Sequence, residues 1–255
     1  MLINKPPKSE IHNILPKTSD PDPSLSSSKN KSSWKRRLGW LGGLMGLFLL
    51  VLLVYLLAVR PWYLQWGTKG DESTMVLPGD ELLPNPAYRS TLAITINAPA
   101  DKVWPWLLQL GYKRGGWYSY DVVENALGVA AFVDGHTTNR IVPELQNLKV
   151  GDRINIAWET APVYLKVAKI EPGNALILRW TVEGSPDNGP LWNLIIKSTG
   201  PEQTRLLMRM VLPTNADLPT MISEPGVYAM YHKMMVGIKE RVERNWRTQT
   251  TGNER

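Results

Sequence analysis

Between Gly115 and Asp121 the chain sets two glycines, Trp117, Tyr118, Ser119, Tyr120 and an acid in unbroken succession, and Glu124 follows one helical turn later. Residues without a side chain let backbone approach a ligand. Trp117, Tyr118 and Tyr120 can line the mouth of a pocket, with Asp121 or Glu124 as its general acid or base. The same stretch also has a purely structural reading. Tyr120 and Val123 then belong to the core, and the two acids sit in the first turns of a helix, where carboxylates favour the positive end of the dipole. Spacing does not decide between the two. His136, in a loop after Asp134-Gly135, adds a group able to titrate near neutrality, its alternative being a solvated loop histidine. His232 stands one position from Tyr231 and reads as the boundary residue of an amphipathic helix.

A second group of residues suits an apolar cavity. Met208, Met210, Met221, Met230, Met234 and Met235 concentrate in the final strand and helix, and flexible thioethers fit both an adaptable ligand cavity and an ordinary core. Trp158, Trp180 and Trp192 fall on three successive expected strands, as cavity lining or as packing against the helix, with Trp192 at a strand start also suited to the rim. Arg179 should point to the sheet face opposite Trp180; if buried it is suited to pair an anionic ligand group, and otherwise it lies on a solvated face.

Other chemistry is excluded. With no Cys and only His12, His136 and His232, the chain offers no thiolate, no disulfide and no zinc motif. No Ser-His-Asp order, nucleophile elbow or phosphate-cradling glycine loop is present, so no metal and no cofactor is expected.

The elements that must position these residues are legible from periodicity. Leu92, Ile94 and Ile96 alternate with polar and small residues as a half-buried strand ended by Pro99. Val103, Trp104, Leu107, Leu108 and Leu110 take helical spacing up to Gly111, with Pro105 an awkward member. A short helix fits Ser119 to Leu127, with Ser119 as N-cap and Tyr120, Val123 and Leu127 on one side. Strands are then expected over Arg153–Glu159, Val163–Ile170, Ala175–Val182, Leu191–Ser198 and Arg205–Leu212, separated by Pro- and Gly-bearing turns. After Ser223-Glu224-Pro225, the apolar residues Val227, Met230, Tyr231, Met234, Ile238, Val242 and Trp246 predict a long amphipathic helix.

Leu38 to Val59 is uncharged and long enough for a membrane-spanning helix, about 33 Å against a hydrocarbon core of about 30 Å. A soluble core helix and a cleaved signal peptide are the alternatives. Ala58-Val59-Arg60-Pro61-Trp62 lacks the small-residue cleavage pattern of the latter. Residues 1–37 carry eight Lys/Arg and three Asp/Glu, so nearly all of the net charge of +6 belongs to the tail. A nucleic-acid binder should carry its excess on the folded surface, and nucleic acid is therefore not expected as a partner. The cluster Lys29, Lys31, Lys35, Arg36 and Arg37 predicts a cytoplasmic amino terminus and an extracytoplasmic carboxy-terminal domain. The expected organisation is a disordered basic tail over 1–37, a transmembrane helix over 38–59 and a juxtamembrane linker over 60–87. One domain over 88–247 and a short disordered tail over 248–255 complete it.

Strand, two helices, antiparallel strands and a long carboxy-terminal helix follow one another in an order that resembles the helix-grip fold of the START-like, or SRPBCC, superfamily. The opening Ile94-Thr95-Ile96-Asn97-Ala98-Pro99-Ala100-Asp101-Lys102-Val103-Trp104 is similar to that superfamily's first strand and helix. Leu77-Pro78-Gly79-Asp80-Glu81-Leu82, Trp104-Pro105-Trp106-Leu107-Leu108-Gln109, Gly116-Trp117-Tyr118-Ser119-Tyr120-Asp121 with Glu124-Asn125, Arg140-Ile141-Val142-Pro143-Glu144-Leu145-Gln146 and Val150-Gly151-Asp152 resemble bacterial members without an assigned function. The resemblance covers roughly Trp66 to Glu243. It implies an α+β fold, a curved antiparallel sheet wrapped around the last helix, and a hydrophobic pocket between them.

Three functions follow as expectations. The first is a membrane-anchored domain that binds a lipid or other small hydrophobic ligand, through Trp117, Tyr118, Tyr120, Trp158, Trp180, Met208, Met210, Met230 and Met234. The second is an enzyme of the polyketide cyclase or dehydrase type, with Tyr118, Tyr120, Asp121, Glu124 or His136 as acid–base groups. The third is a structural module whose cavity is filled by its own side chains.

Overall fold

The computed structural model describes residues 29–215 and 217–253; of the disordered tail expected over 1–37, residues 1–28 lie outside them, and 29–37 are helical and continuous with the apolar stretch that follows. The first compact unit, up to Leu53, is helix α1, Lys29–Val54, less the last residue. A π-helical turn over Tyr55–Val59 and the short helix α2, Arg60–Leu64, follow it. Trp34–Leu64 is long and apolar enough to serve as a single membrane span, and none of its most apolar window is buried.

The second unit, Val54–Arg255, is built on six antiparallel strands. These are β1 (Tyr88–Ile96), β2 (Arg153–Asn155), β3 (Val163–Glu171), β4 (Ala175–Val182), β5 (Leu191–Gly200) and β6 (Gln203–Leu212), in spatial order β1-β6-β5-β4-β3-β2. Helices α3 (Ala100–Leu108) and α4 (Asp121–Ala126) fall between β1 and β2, and α5 (Leu218–Asn253) closes the chain. This is a helix-grip, START-like architecture: an open curved sheet wrapped around a long carboxy-terminal helix.

Both faces of the sheet are covered. Successive strand residues point to opposite sides, so the register Leu92–Met208–Leu194 and its neighbour Met210–Trp192–Leu178–Val167 set an inner face against α5 through Met234, Met235, Ile238 and Val242. One residue away, Thr91–Arg209–Asn193–Ile177 and Ala93–Leu207–Ile195–Ala175 form the outer face. Residues 67–87 lie across it as a strap whose only regular element is a 3-10 turn over Asp80–Leu82, while Trp66 just before them packs on the inner side with its ring 4.1 Å from His232 of α5.

The strap is fixed at polar points as well as by Leu77. Arg209, 1% exposed, donates to Asp80 Oδ2 at 2.6 Å, to Thr91 Oγ1 at 2.9 Å and to the carbonyls of Met75, Glu72 and Ser73. Arg205 grips Glu72, and Asn193 Nδ2 donates to the Pro78 carbonyl at 3.2 Å. Gly79 has φ +92°, a left-handed conformation that favours glycine, and it lets the strap descend to the side chains of Ile177 and Asn193.

Several elements differ from their sequence reading. Only Arg153–Asn155 of the expected first meander strand pairs, and the chain then turns toward Pro162, leaving Trp158 52% exposed outside the sheet. The short helix begins at Asp121 with Tyr120 at its N-cap and no side-chain cap, rather than being capped by Ser119. Its expected apolar side is turned outward: Tyr120 and Val123 are exposed while Glu124 is completely buried. Helix α5 starts seven residues before Pro225, which lies inside it, and continues past Trp246 to Asn253.

Candidate functional site

A cavity of about 180 Å³ opens between the inner face of the sheet and α5. Leu165 on β3, Trp180 on β4 and Trp192 on β5 form its sheet side, Val227, Met230 and Tyr231 its helix side, and Trp117, Leu127, Val129 and Ile156 its remaining wall. The aromatic rings are mutually supported: Trp192 stacks on Tyr231 with centroids 5.5 Å apart and meets Trp117 at 6.0 Å. A second cavity of about 120 Å³ adjoins it through the shared residues Val227 and Tyr231, and is lined also by Tyr88, Met210 and Glu224.

The Gly115–Asp121 stretch forms the support behind this wall. Tyr118 is 1% exposed with φ +58°, an unusual conformation for a bulky residue. Its hydroxyl accepts from Gln109 Nε2 at 2.8 Å, its ring meets Trp106 edge-on at 5.8 Å, and the Arg241 guanidinium stands 5.1 Å over its face. Burial pushes the phenol up from its ordinary value. Gly237 on α5 permits this approach, because a Cβ there would lie 2.2 Å from the Tyr118 carbonyl oxygen. Gly237→Ala is therefore expected to push the loop off the helix and cost about 1–3 kcal/mol of stability, as overpacking does; unchanged urea unfolding would refute that contact.

Next to this support lies a buried carboxyl. Glu124 is fully buried, and neither carboxylate oxygen has a hydrogen-bond partner among the described residues. Burial, reinforced by the neighbouring Asp121 carboxylate, raises it to about 7, while the nearby Ser119 backbone and then Arg241 act in the opposite direction. Asp121 is itself held by the Thr137 hydroxyl at 2.5 Å. Arg241 donates to the carbonyls of Thr138 at 3.0 Å and Gly237 at 3.1 Å, tying α5 to the same loop.

The sequence-derived candidates thus fall in distinct places. Trp117, Trp180 and Met230 line the larger cavity and Met210 the smaller, while Met208 and Met234 are packed in the core. Tyr118 lies behind the wall, Tyr120 is 45% exposed at the start of α4, and Trp158 is at the surface beside Gly128. Asp121 and Glu124 come together on α4. His136 is exposed, with Nδ1 2.9 Å from the Asp134 carbonyl. Arg179 is buried on the outer face, where it donates to the carbonyls of Gly189 and Leu82 under the strap.

Leu127, Val129, Ile156, Leu165 and Tyr231 were not singled out as lining residues. For Leu165 and Tyr231 a signal existed, since both fall on the inward period of their elements; Leu127 and Val129 belong to irregular chain after α4, where no period applies.

The class of protein defined by this fold is a helix-grip, START-like domain with an apolar helix at its amino-terminal side. No protein-family model and no curated protein matches the chain. Among solved structures, the chain is similar to a Mesorhizobium loti protein at 17% identity and a TM-score of 0.38, over 62% of this chain and 98% of that one. It is similar to the Aha1 dimer from Colwellia psychrerythraea at 14% and 0.38, over 61% and 96% of the respective chains. For CalU16 from Micromonospora echinospora the figures are 15% and 0.35, over 60% and 65%.

Proposed function

We propose that this chain is a membrane-anchored helix-grip domain that binds a lipid or other small hydrophobic ligand between its sheet and α5. The observation that carries the reading is the tryptophan-walled apolar cavity of about 180 Å³. With its smaller neighbour it approaches the lower end of the range ligand sites occupy, about 300 Å³. Binding is by desolvation, worth about 25 cal/mol for each Å² of apolar surface removed from water. The basic cluster ahead of the span supports an amino terminus in the cytoplasm and a domain on the outer side.

Native mass spectrometry of the full chain, released from its own membranes in mild detergent, tests this reading. A stoichiometric added mass is expected. Met230→Trp, which fills the cavity from the helix side, should lower its occupancy at least tenfold while the fold persists. A folded wild-type protein that is bare, or a folded variant with undiminished occupancy, would sink the carrier reading.

One observation favours a second reading, an enzyme of the polyketide cyclase or dehydrase type. Glu124 is buried and shifted to about 7, where a carboxyl can both take and give a proton at neutral pH. On that reading, turnover of a polyketide substrate is lost in Glu124→Gln with the fold retained.

A further inference from the structure

The mouth of the cavity is bordered by apolar side chains that the fold leaves in the open. Val122 on α4 is 82% exposed, Leu127 58%, and Trp158, which lies beside Gly128, 52%. Across the opening on α5, Val227 is 39% exposed, and Ile222 and Leu218, about one and a half and two and a half turns earlier on the outward side of the helix, are 73% and 69% exposed. Leu127 and Val227 belong both to this rim and to the cavity lining, so the rim is continuous with the site. Helix α4 makes the pattern pointed, because it buries a carboxyl and turns valines outward, the reverse of a helix on a water-exposed surface.

The same end of α5 is tied to the end of the apolar span. Arg60 of α2 grips Glu224 with Nε–Oε2 at 2.7 Å and Nη2–Oε1 at 3.1 Å, and the Tyr63 hydroxyl donates to Glu224 at 2.9 Å. Glu224 is 5% exposed, and the Tyr63 and Tyr228 rings pack with centroids 5.4 Å apart. Two residues from Arg60, Trp62 is 67% exposed, as an aromatic at a bilayer interface is. The carboxy-terminal end of the apolar stretch is thereby fastened within one turn of Ile222 and Val227.

We propose that the rim is a bilayer-docking surface: the Arg60–Tyr63–Glu224 clamp holds the mouth of the cavity against the outer surface of the membrane that the chain's own amino-terminal helix spans. Ligand then passes between acyl chains and cavity without crossing water. This rests on the reading of Trp34–Leu64 as a membrane span, and it adds the face of the domain that touches lipid and the device that orients it.

The chain has no Cys, so single-cysteine labelling needs no background removal. Full-length protein carrying a fluorophore at Val122→Cys, Leu127→Cys or Ile222→Cys would be reconstituted into phosphatidylcholine–phosphatidylglycerol vesicles containing doxyl-labelled lipid. Leu50→Cys reports on the span. Glu202→Cys, in the β5–β6 turn about 26 Å along the strands from Met210, is the distant control. Rim labels should be quenched at least threefold more strongly than the Glu202 label, and Glu224→Gln or Arg60→Gln should lower that quenching at least twofold. If the Leu50 label is quenched while the rim matches the Glu202 control, the docking proposal falls alone. If Leu50 is not quenched either, the span reading falls and takes the proposal with it. Rim cysteines that cross-link two copies without lipid quenching would assign this face to a second copy of the chain and overturn the proposal. Unchanged quenching in both clamp variants would overturn the orienting role of Glu224.

Discussion

Arg209→Met is expected to cost about 3–5 kcal/mol of stability, the range for removing one partner of a buried ion pair. The loss goes beyond one pair. Arg209 is 1% exposed at the middle of β6, and its guanidinium serves Asp80, Thr91 and three strap carbonyls at once. Methionine fills much of the same space and bonds to none of them, leaving the Asp80 carboxylate buried without its counter-charge. The double variant Arg209→Met with Asp80→Leu should recover most of the loss, because a buried pair replaced as a pair by apolar groups is often near neutral. Urea unfolding of the full chain in detergent micelles, followed by tryptophan fluorescence, measures both. In a domain of this size the single variant should lower the melting temperature on the order of 10 °C. A single variant within 1 kcal/mol of wild type, or a double variant no better than the single, would show that the strap is not held by this pair. Met208 and Met210 flank Arg209 on the opposite face, so a strap that lifts also loosens the strand that lines the smaller cavity.

The strap illustrates what one sequence reveals and what it hides. In β6, Leu206, Met208 and Met210 alternate with Leu207, Arg209 and Val211, and both sets are buried. A strand apolar on both sides signals that something covers each face, and α5 was legible as one cover from its 3.6-residue period. The second cover has no period. Residues 67–87 are broken by Pro78, Pro84 and Pro86, so the sequence shows irregular chain and not where it rests. Their grip depends on pairs such as Arg209–Asp80 and Arg205–Glu72, separated by well over a hundred residues, which spacing cannot reveal.

The candidate site divides in the same way. Trp180 and Met230 were recoverable because large apolar residues on inward periods border any space the sheet and helix leave, whereas Trp117, on irregular chain between α3 and α4, stood out only through its place in the Gly115–Asp121 cluster. Trp158 was not recoverable, since its strand ends at Asn155 and the alternation that would have turned it inward stops there. On α4 the period itself misleads. A helix of six residues makes fewer than two turns, so its apolar side is set by tertiary contacts, here the Thr137 hydroxyl and amide on the Asp121 carboxylate, and not by its own pattern. Glu124 accordingly faces inward, and Val122 outward.

That inversion sets the second large effect, a stability that falls with rising pH and a variant that abolishes the fall. Glu124 is held at about 7 in the folded protein against an ordinary value near 4.5. Between those pH values the folded state keeps the proton and the unfolded chain releases it, so the folded state binds more protons and stability declines as pH rises. The contribution is fully present below about 4.5, is lost progressively as pH rises through about 7, and is then level. Its full size is about 3 kcal/mol, from about 1.4 kcal/mol for each pH unit separating the two values. Glu124→Gln keeps the shape and removes the proton. Its stability should exceed that of wild type at pH 8 by about 2.5 kcal/mol relative to their difference at pH 5, where part of the effect has already gone, whatever constant offset the amide introduces. Urea unfolding of both full chains in micelles from pH 5 to 8 gives the difference curve directly, because every other titrating group contributes alike to the two. Parallel curves would mean that the folded carboxyl ionises as freely as in the unfolded chain, and that Glu124 is hydrated and not sealed. A difference that opens between pH 5 and 8 would place the burden of ionisation on α4, from which the cavity wall at Leu127 and Val129 directly continues. The stretch with most at stake above neutral pH is then the one that separates the ligand space from the outside.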